Sequence, residues 1–323
     1  MDPFRSSYER SEVTEPSFLS PESIGAALGL GDEDLLIEMA NASHWDVATR
    51  YHEFKTKPFF KKDEKLRDHL RDISREAILD RAKAVLGQVV RPLKRQLTTL
   101  DLLPADAQSS ELDLEATLED APWVGMNRVP FQAQDLVMEY SQPKTHAVVL
   151  CVDTSLSMTG DKLALTAVAL AVVLLQFPHD PIGIVAFENQ ARVLKHPTET
   201  LTIDELITRF LDVPAQGYTH LEAGMKSALK LIDEVPRSGL DRPPSTVLLT
   251  DGKYTAGRDP GYLGARFPHL LVLKMGSERA SRNLCRELAQ KGGGTLREIE
   301  NLEDLPETMY SVVKSLLRGR DFV

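Results

Sequence analysis

Three short polar stretches interrupt apolar runs, and each brings oxygen donors to the end of an apolar element. In Asp153-Thr154-Ser155-Leu156-Ser157, a carboxylate and two hydroxyls alternate within one turn. Gln216-Gly217-Tyr218-Thr219 offers a further hydroxyl ahead of a helical pattern, and STVLLT (245–250) runs into Asp251-Gly252. Hard divalent cations take oxygen ligands; Mg²⁺ wants six, at about 2.0–2.1 Å, and keeps some waters. Two carboxylates and three hydroxyls, Asp153, Ser155, Ser157, Thr219 and Asp251, fit that demand and leave room for an external ligand. No imidazole or thiolate stands in these loops as a ligand, which argues against zinc or copper. Two carboxylates leave little excess charge around a dication, so a carboxylate from a partner could join the shell without strong repulsion.

Such residues need strand ends to hold them. From His146 onward, strand-like and helix-like segments alternate. AVVLCV (147–152), IGIVAF (182–187), STVLLT (245–250) and LLVLKM (270–275) are apolar runs of the kind buried on both sheet faces. ARVLKH (191–196) follows IGIVAF after the turn Glu188-Asn189-Gln190 and is expected antiparallel to it. TLREI (295–299) is a last strand. Helices are expected over Lys162–Phe177, Thr202–Leu211, His220–Val235, Glu278–Gln290 and Leu302–Leu317, with Gly292-Gly293-Gly294 stopping the fourth. The alternation means a three-layer, doubly wound α/β domain over 146–323 with a mostly parallel sheet. In such sheets ligands sit beyond the carboxyl ends of the strands, where the three loops fall.

The first half reads differently. Residues 1–19 are polar, without periodicity, and are expected to form a flexible tail. Residues 20–100 read as a helical region. Ser20-Pro21 opens a short helix that ends near Gly29–Gly31, and Asp32 is placed as the cap of a second helix reaching Tyr51. The strongest helical pattern covers 63 to about 90, with Leu66, Leu70, Ile73 and Ala77 on one side and Pro92 as its stop. Glu64–Arg67, Asp68–Arg71 and Asp72–Arg75 form i,i+3 pairs, worth about 0.2–0.5 kcal/mol each. Residues 55–95 hold 13 Lys and Arg against 6 Asp and Glu, while the chain as a whole carries −10. This basic face reads as solvated surface, with a docking face for an acidic partner as the alternative. Residues 101–145, broken by Pro104, Pro122, Pro130 and Pro143, are read as a linker or as short strands packing on the following domain; LDLEATLEDA and FQAQDLVMEYS are the strand candidates.

The 323 residues suffice for a full core without disulfides. Net acidity argues against non-specific nucleic-acid binding. Cys151 and Cys285 lie in apolar segments and read as buried free thiols. No apolar stretch reaches the roughly 20 residues of a membrane span, and the charged start is not a secretory signal, so a cytoplasmic protein is expected.

The DTSLS run, Thr219 and the Asp251 of TDG, in this order and strand context, resemble the metal-ion-dependent adhesion site of von Willebrand factor A (vWA) domains, over roughly 146–318. The resemblance implies a vWA/Rossmann-like fold. It also implies Mg²⁺, with Mn²⁺ as alternative, bound by the hydroxyls of Ser155, Ser157 and Thr219 and held directly or through water by Asp153 and Asp251. A partner's Asp or Glu would take the open position. The stretch DTSLSMTGDKLALTAVALA looks like the intracellular prokaryotic branch that works beside MoxR-type AAA+ ATPases, and LDLEATLEDA resembles a segment found ahead of the domain there. That implies an adaptor or co-chaperone of such an ATPase and its client.

Catalytic readings fit less well. A haloacid-dehalogenase-like phosphatase would carry DxDx[TV], and position 155 is Ser. No GxSxG elbow, HExxH or GxxxxGK[ST] loop is present. His220 reads as a helix-start histidine, and Tyr218 and Tyr254 as rim residues or simple loop aromatics. The rivals using the same metal site are a chelatase-like AAA+ partner subunit and a cell-surface adhesion protein.

Overall fold

A computed structural model describes residues 43–55, 64–85, 93–103, 109–119, 132–143, 146–215, 217–235, 240, 242–276 and 278–317. The expected tail, the helix opened by Ser20-Pro21 and the stop at Pro92 lie outside them. Helix α1 spans His44–Phe54. Its cap is Ser43, and Asp32 lies outside the described residues: Ser43 Oγ accepts from the Asp46 amide (3.1 Å), and Asp46 Oδ2 accepts from the Ser43 amide (2.9 Å). This reciprocal box satisfies two free helix-start donors, and Ser43 is itself extended, so the helix carrying Tyr51 starts there. Helix α2 spans Glu64–Val85 and buries Leu66, Leu70, Ile73, Ile78 and Ala82.

The helical region does not extend to residue 100. Leu93–Thr99 is a strand, β1, followed by β2 (Ser109–Leu112), helix α3 (Leu114–Glu119) and β3 (Val137–Pro143). Central β3 pairs antiparallel with β1 and with β2. FQAQDLVMEYS supplies β3 as expected, whereas LDLEATLEDA is a strand only at Leu112. Asp113 then accepts from the Ala116 amide (3.0 Å) and turns the chain into α3.

From here the expected alternation holds. The elements are β4 (Val148–Asp153), α4 (Asp161–Gln176), β5 (Ile182–Phe187), β6 (Ala191–Lys195), α5 (Ile203–Leu211), α6 (Leu221–Glu234), β7 (Ser245–Thr250), β8 (Leu270–Met275), α7 (Arg279–Lys291), β9 (Leu296–Ile299) and α8 (Leu305–Leu317). The described residues form a six-stranded sheet ordered β6-β5-β4-β7-β8-β9, parallel except for β6. Strands β4, β5 and β8 are buried along their whole length, as their unbroken apolar sequences require. Val148, Leu150 and Val152 of β4 face the core shared with α4, α5 and α8; Val149 and Cys151 face α6 and α7. Both cysteines are free and buried, and burial raises both thiol pKa values, that of Cys285 to about 12.

Helix α4 is buried from Leu163 through Leu174 without a polar stripe. A helix apolar all round must be covered all round. The sheet, α5 and α8 cover part of it, and α2 with α1 cover more, with Tyr51, Leu66, Leu70, Ile73 and Ile78 in the same apolar cluster as α4.

The arginine stripe of α2 is half-exposed and makes ion pairs beyond its own helix. The three i,i+3 pairs form as expected. In addition Arg71 lies 3.9 Å from Asp212, Arg75 lies 3.3 Å from Asp204, and Arg81 lies 2.7 Å from Glu303. The Arg81 guanidinium also stacks 4.0 Å from the centre of the Trp45 ring. Such half-exposed contacts are individually small. Arg81→Ala, which loses an ion pair and a cation–π contact together, is expected to cost about 1 kcal/mol in a urea titration. An unchanged midpoint would show that the stripe adds nothing to the packing of α2.

Candidate metal centre

The strand order reverses between neighbours β4 and β7, and the candidate residues gather where these two strands end. At the end of β4, Asp153 Oδ1 accepts from the Ser155 amide (2.9 Å), which curls the chain back over the strand tip. A single 3-10 turn, Leu156–Met158, follows, pinned by the buried Met158. The Ser155 and Ser157 hydroxyls come within 3.2 Å of each other. Gly160, at φ +78°, lets the chain swing into α4.

Strand β7 supplies the second part. Thr250 Oγ1 donates to Asp153 Oδ2 (2.8 Å) and accepts from the Gly252 amide (3.0 Å). One hydroxyl thus locks the Asp153 carboxylate and shapes the turn after Asp251. Gly252 sits at φ +77°, and a Cβ there would lie 2.6 Å from Cys285 Sγ, so both conformation and space require glycine. Asp251 Oδ1 accepts from the Lys253 amide (3.1 Å), while Oδ2 is buried without any hydrogen-bond partner.

Thr219 arrives on a loop that other loops hold. Its amide donates to Thr255 Oγ1 (2.9 Å), and its carbonyl accepts from the Thr255 amide (3.0 Å), tying it to the chain just after Asp251. Gly217 O accepts from the Leu156 amide (3.2 Å), tying it to the first loop. Gln216 lies outside the described residues. Sequence reasoning saw Glu188-Asn189 only as a hairpin turn, but these residues are the scaffold of this loop. Glu188 Oε2 accepts from the Gly217 amide (2.8 Å), Asn189 Oδ1 from the Tyr218 amide (2.8 Å), and Glu188 O from the His220 amide (2.8 Å). The approach is so close that a Cβ on Gly217 would lie 2.6 Å from Asn189. No local pattern could have signalled this, because the partners stand about thirty positions apart.

The three loops are thus stitched into one unit. Asp153, Ser155, Thr219 and Asp251 are buried in it and Ser157 is exposed at its edge. Burial pushes the Asp153 carboxyl up to about 6, against hydrogen bonds from Ser155 and Thr250 that favour its charge; the nearby Asp251 charge adds to the rise. His220 Nδ1 lies 3.1 Å from Asn189 O. Leu156 and Tyr218 stand 63% and 69% exposed beside the ligand candidates, with Tyr254 partly exposed on the third loop. Glu222 braces the loop beyond, accepting from Lys226 Nζ (2.6 Å), the Tyr262 hydroxyl (2.5 Å) and the Arg258 amide (3.0 Å); these donors hold its pKa down to about 2.

The donor set suits a hard cation. Among the described residues no group of three or more His, Cys, Asp or Glu could hold a metal, so any cation here relies on hydroxyls beside Asp153 and Asp251. Asp251 Oδ2 is buried without a donor, which is costly for a carboxylate oxygen and which a cation could offset.

Residues 148–253 match the family model of the von Willebrand factor type A domain. The matched segment begins with β4 and ends two residues past Asp251, so all five candidate residues fall inside it. Domains of this type generally mediate metal-dependent protein interactions. The chain is similar to an aerotolerance-related membrane protein from Bacteroides fragilis NCTC 9343, at 16% identity over 53% of this chain and 98% of that one, with a TM-score of 0.42. It is similar to proximal thread matrix protein 1 from the mussel byssus, whose structure has a zinc-occupied MIDAS motif, at 16% identity over 54% and 48%, TM-score 0.45. It is also similar to a von Willebrand factor type A protein from Catenulispora acidiphila, at 15% identity over 72% and 51%, TM-score 0.45. Among the described residues no helix is long and apolar enough to cross a membrane.

Proposed function

We propose that the vWA-like domain is a divalent-metal-dependent protein-binding module and not a catalyst, and that it serves in the cytoplasm as adaptor or co-chaperone of a MoxR-type AAA+ ATPase and its client. The observation that carries the metal reading is the Asp251 oxygen, buried and without a donor, on a loop hydrogen-bonded to those of Asp153, Ser155, Ser157 and Thr219. Ser155, Ser157 and Thr219 would hold Mg²⁺, or Mn²⁺, through hydroxyls, and Asp153 and Asp251 directly or through water. When bound, the cation supplies a hard Lewis-acid position for an Asp or Glu side chain of the partner. The chain's own part is to keep the donors in place: Thr250 orients Asp153, and Glu188 and Asn189 orient the Thr219 loop. The ATPase assignment rests on the DTSLSMTGDKLALTAVALA stretch and on LDLEATLEDA.

Tagged protein is expected to retain an AAA+ ATPase from its native lysate in Mg²⁺ but not in EDTA. Asp251→Ala is expected to lose both Mg²⁺ binding, by calorimetric titration, and that retention. An ATPase held equally in EDTA, or by the Asp251→Ala protein, would overturn the metal-bridged adaptor.

A further inference from the structure

The residues ahead of β4 carry no assigned role, yet one of them holds the start of the segment that leads to Thr219. Lys55, the first residue past α1, sends its ammonium to the carbonyl oxygens of Leu211 (2.6 Å) and Val213 (2.7 Å). These carbonyls belong to the end of α5 and the first turn after it. Terminal carbonyls of a helix have no intrahelical donors and carry the negative end of its dipole, so a cation is the fitting partner. The contact crosses more than 150 residues of sequence and joins the outer helical layer to the loop that carries Thr219. Arg71 of α2 reaches Asp212 in the same turn.

From Val213 the chain has only a few residues to reach Gly217, and it passes through Ala215 at φ +51°. A residue with a Cβ in this left-handed conformation costs on the order of 1 kcal/mol and persists only where its surroundings dictate it. Ala215 is buried and clamped from both sides. Upstream, Lys55 holds the Leu211 and Val213 carbonyls. Downstream, Gly217 is held by Glu188 and Leu156. Gln216, which joins these two holds, lies outside the described residues.

We propose that Lys55 is a positioning residue for the candidate metal centre, fixing the start of the 211–219 segment and through it the placement of Thr219. The role in metal binding rests on the metal reading above; the hold on the loop does not. Burial brings the Lys55 ammonium down to about 8, against the pull of the Asp212 charge. The group has therefore given up much of its hydration for these two carbonyls.

The test compares the full chain with Lys55→Met, which keeps the stem and loses the ammonium, and with Lys55→Arg. Amide hydrogen exchange is measured in EDTA, and Mn²⁺ affinity by calorimetric titration. Lys55→Met is expected to exchange the Gly217, Tyr218 and Thr219 amides about ten-fold faster and to bind Mn²⁺ about ten-fold more weakly. Lys55→Arg should restore both to within about three-fold, because a guanidinium can still reach the carbonyls. Faster exchange confined to residues 44–54, with 217–219 and Mn²⁺ affinity at wild-type values, would overturn the proposal and leave Lys55 as an anchor of α1 alone. Should Lys55→Met not fold, the wild type decides. Coupling is reciprocal, so saturating Mn²⁺ must slow exchange in α1 as well as in 217–219; protection of 217–219 alone would overturn it. A wild-type chain that takes up no Mn²⁺ would sink the metal reading, while the exchange rates in EDTA would still decide whether Lys55 holds the loop.

Discussion

Asp153→Asn protein is expected to lose Mg²⁺ binding and yet, in EDTA at pH 8, to melt several degrees above the wild type. The carboxyl is fully buried, and its pKa rises from 3.8 to about 6 on folding. Between those values the folded chain holds a proton that the unfolded chain has released. The stability tied to that proton is complete below pH 3.8 and is lost as pH rises through about 6. The loss is about 3 kcal/mol, at 1.36 kcal/mol per unit. A neutral amide escapes it and still accepts from the Ser155 amide. The Thr250 hydroxyl can rotate to accept from the new NH₂, which limits the cost of the exchange. Buried His52 titrates in the opposite sense: its pKa falls from 6.5 to about 3, so it removes stability as pH falls through that range. The decisive quantity is therefore the difference between the melting profiles of wild type and variant from pH 4 to pH 8. That difference should widen with pH in EDTA and shrink when Mg²⁺ repays the wild-type charge. Parallel profiles would show that the Asp153 carboxylate is not strained by its burial.

Gly224→Ala is expected to destabilise the protein by about 2–3 kcal/mol, the cost of overpacking a filled core. Gly224 lies in the first turns of α6, where the helix crosses β5, and an added Cβ would sit 2.5 Å from the Phe187 ring. That ring is fully buried in one apolar cluster with Leu221, Met225 and Val185. Phe187→Leu should recover part of the loss in the double variant, and urea midpoints of the four proteins measure the coupling. Strict additivity would mean that helix and strand adjust independently. The clash also bears on the centre, because α6 begins two residues after Thr219.

What was legible in the sequence was whatever a short window contains. Strands β4, β5, β7 and β8 announced themselves because a strand covered on both faces has no polar position to spare. DTSLS stood out because carboxylate and hydroxyls abruptly break such a run. The antiparallel β6 followed from a three-residue turn too short for a crossover. What was hidden depends on residues far apart. Leu93–Thr99 carries two charges and no clean alternation, and it is a strand because β3 pairs with it. The sequence paired Arg71 and Arg75 only along their own helix; Asp212 and Asp204 join them, and Glu303 meets Arg81, from over 120 positions away. The Ser43 cap was missed although its box with Asp46 serves two donors within one turn.

The cover that α1 and α2 place over α4 bears on modularity. Domains of this architecture are often imagined as cassettes, cut at their first and last strands and moved between proteins. Here that cut would separate α4 from the two helices that pack on it from ahead of β4. The outer side of Leu163–Leu174 would face water as an apolar band, the kind of surface that drives self-association. In this chain the portable unit is larger than the matched segment and starts no later than α1. A transplanted domain would have to carry the two helices along or resurface α4.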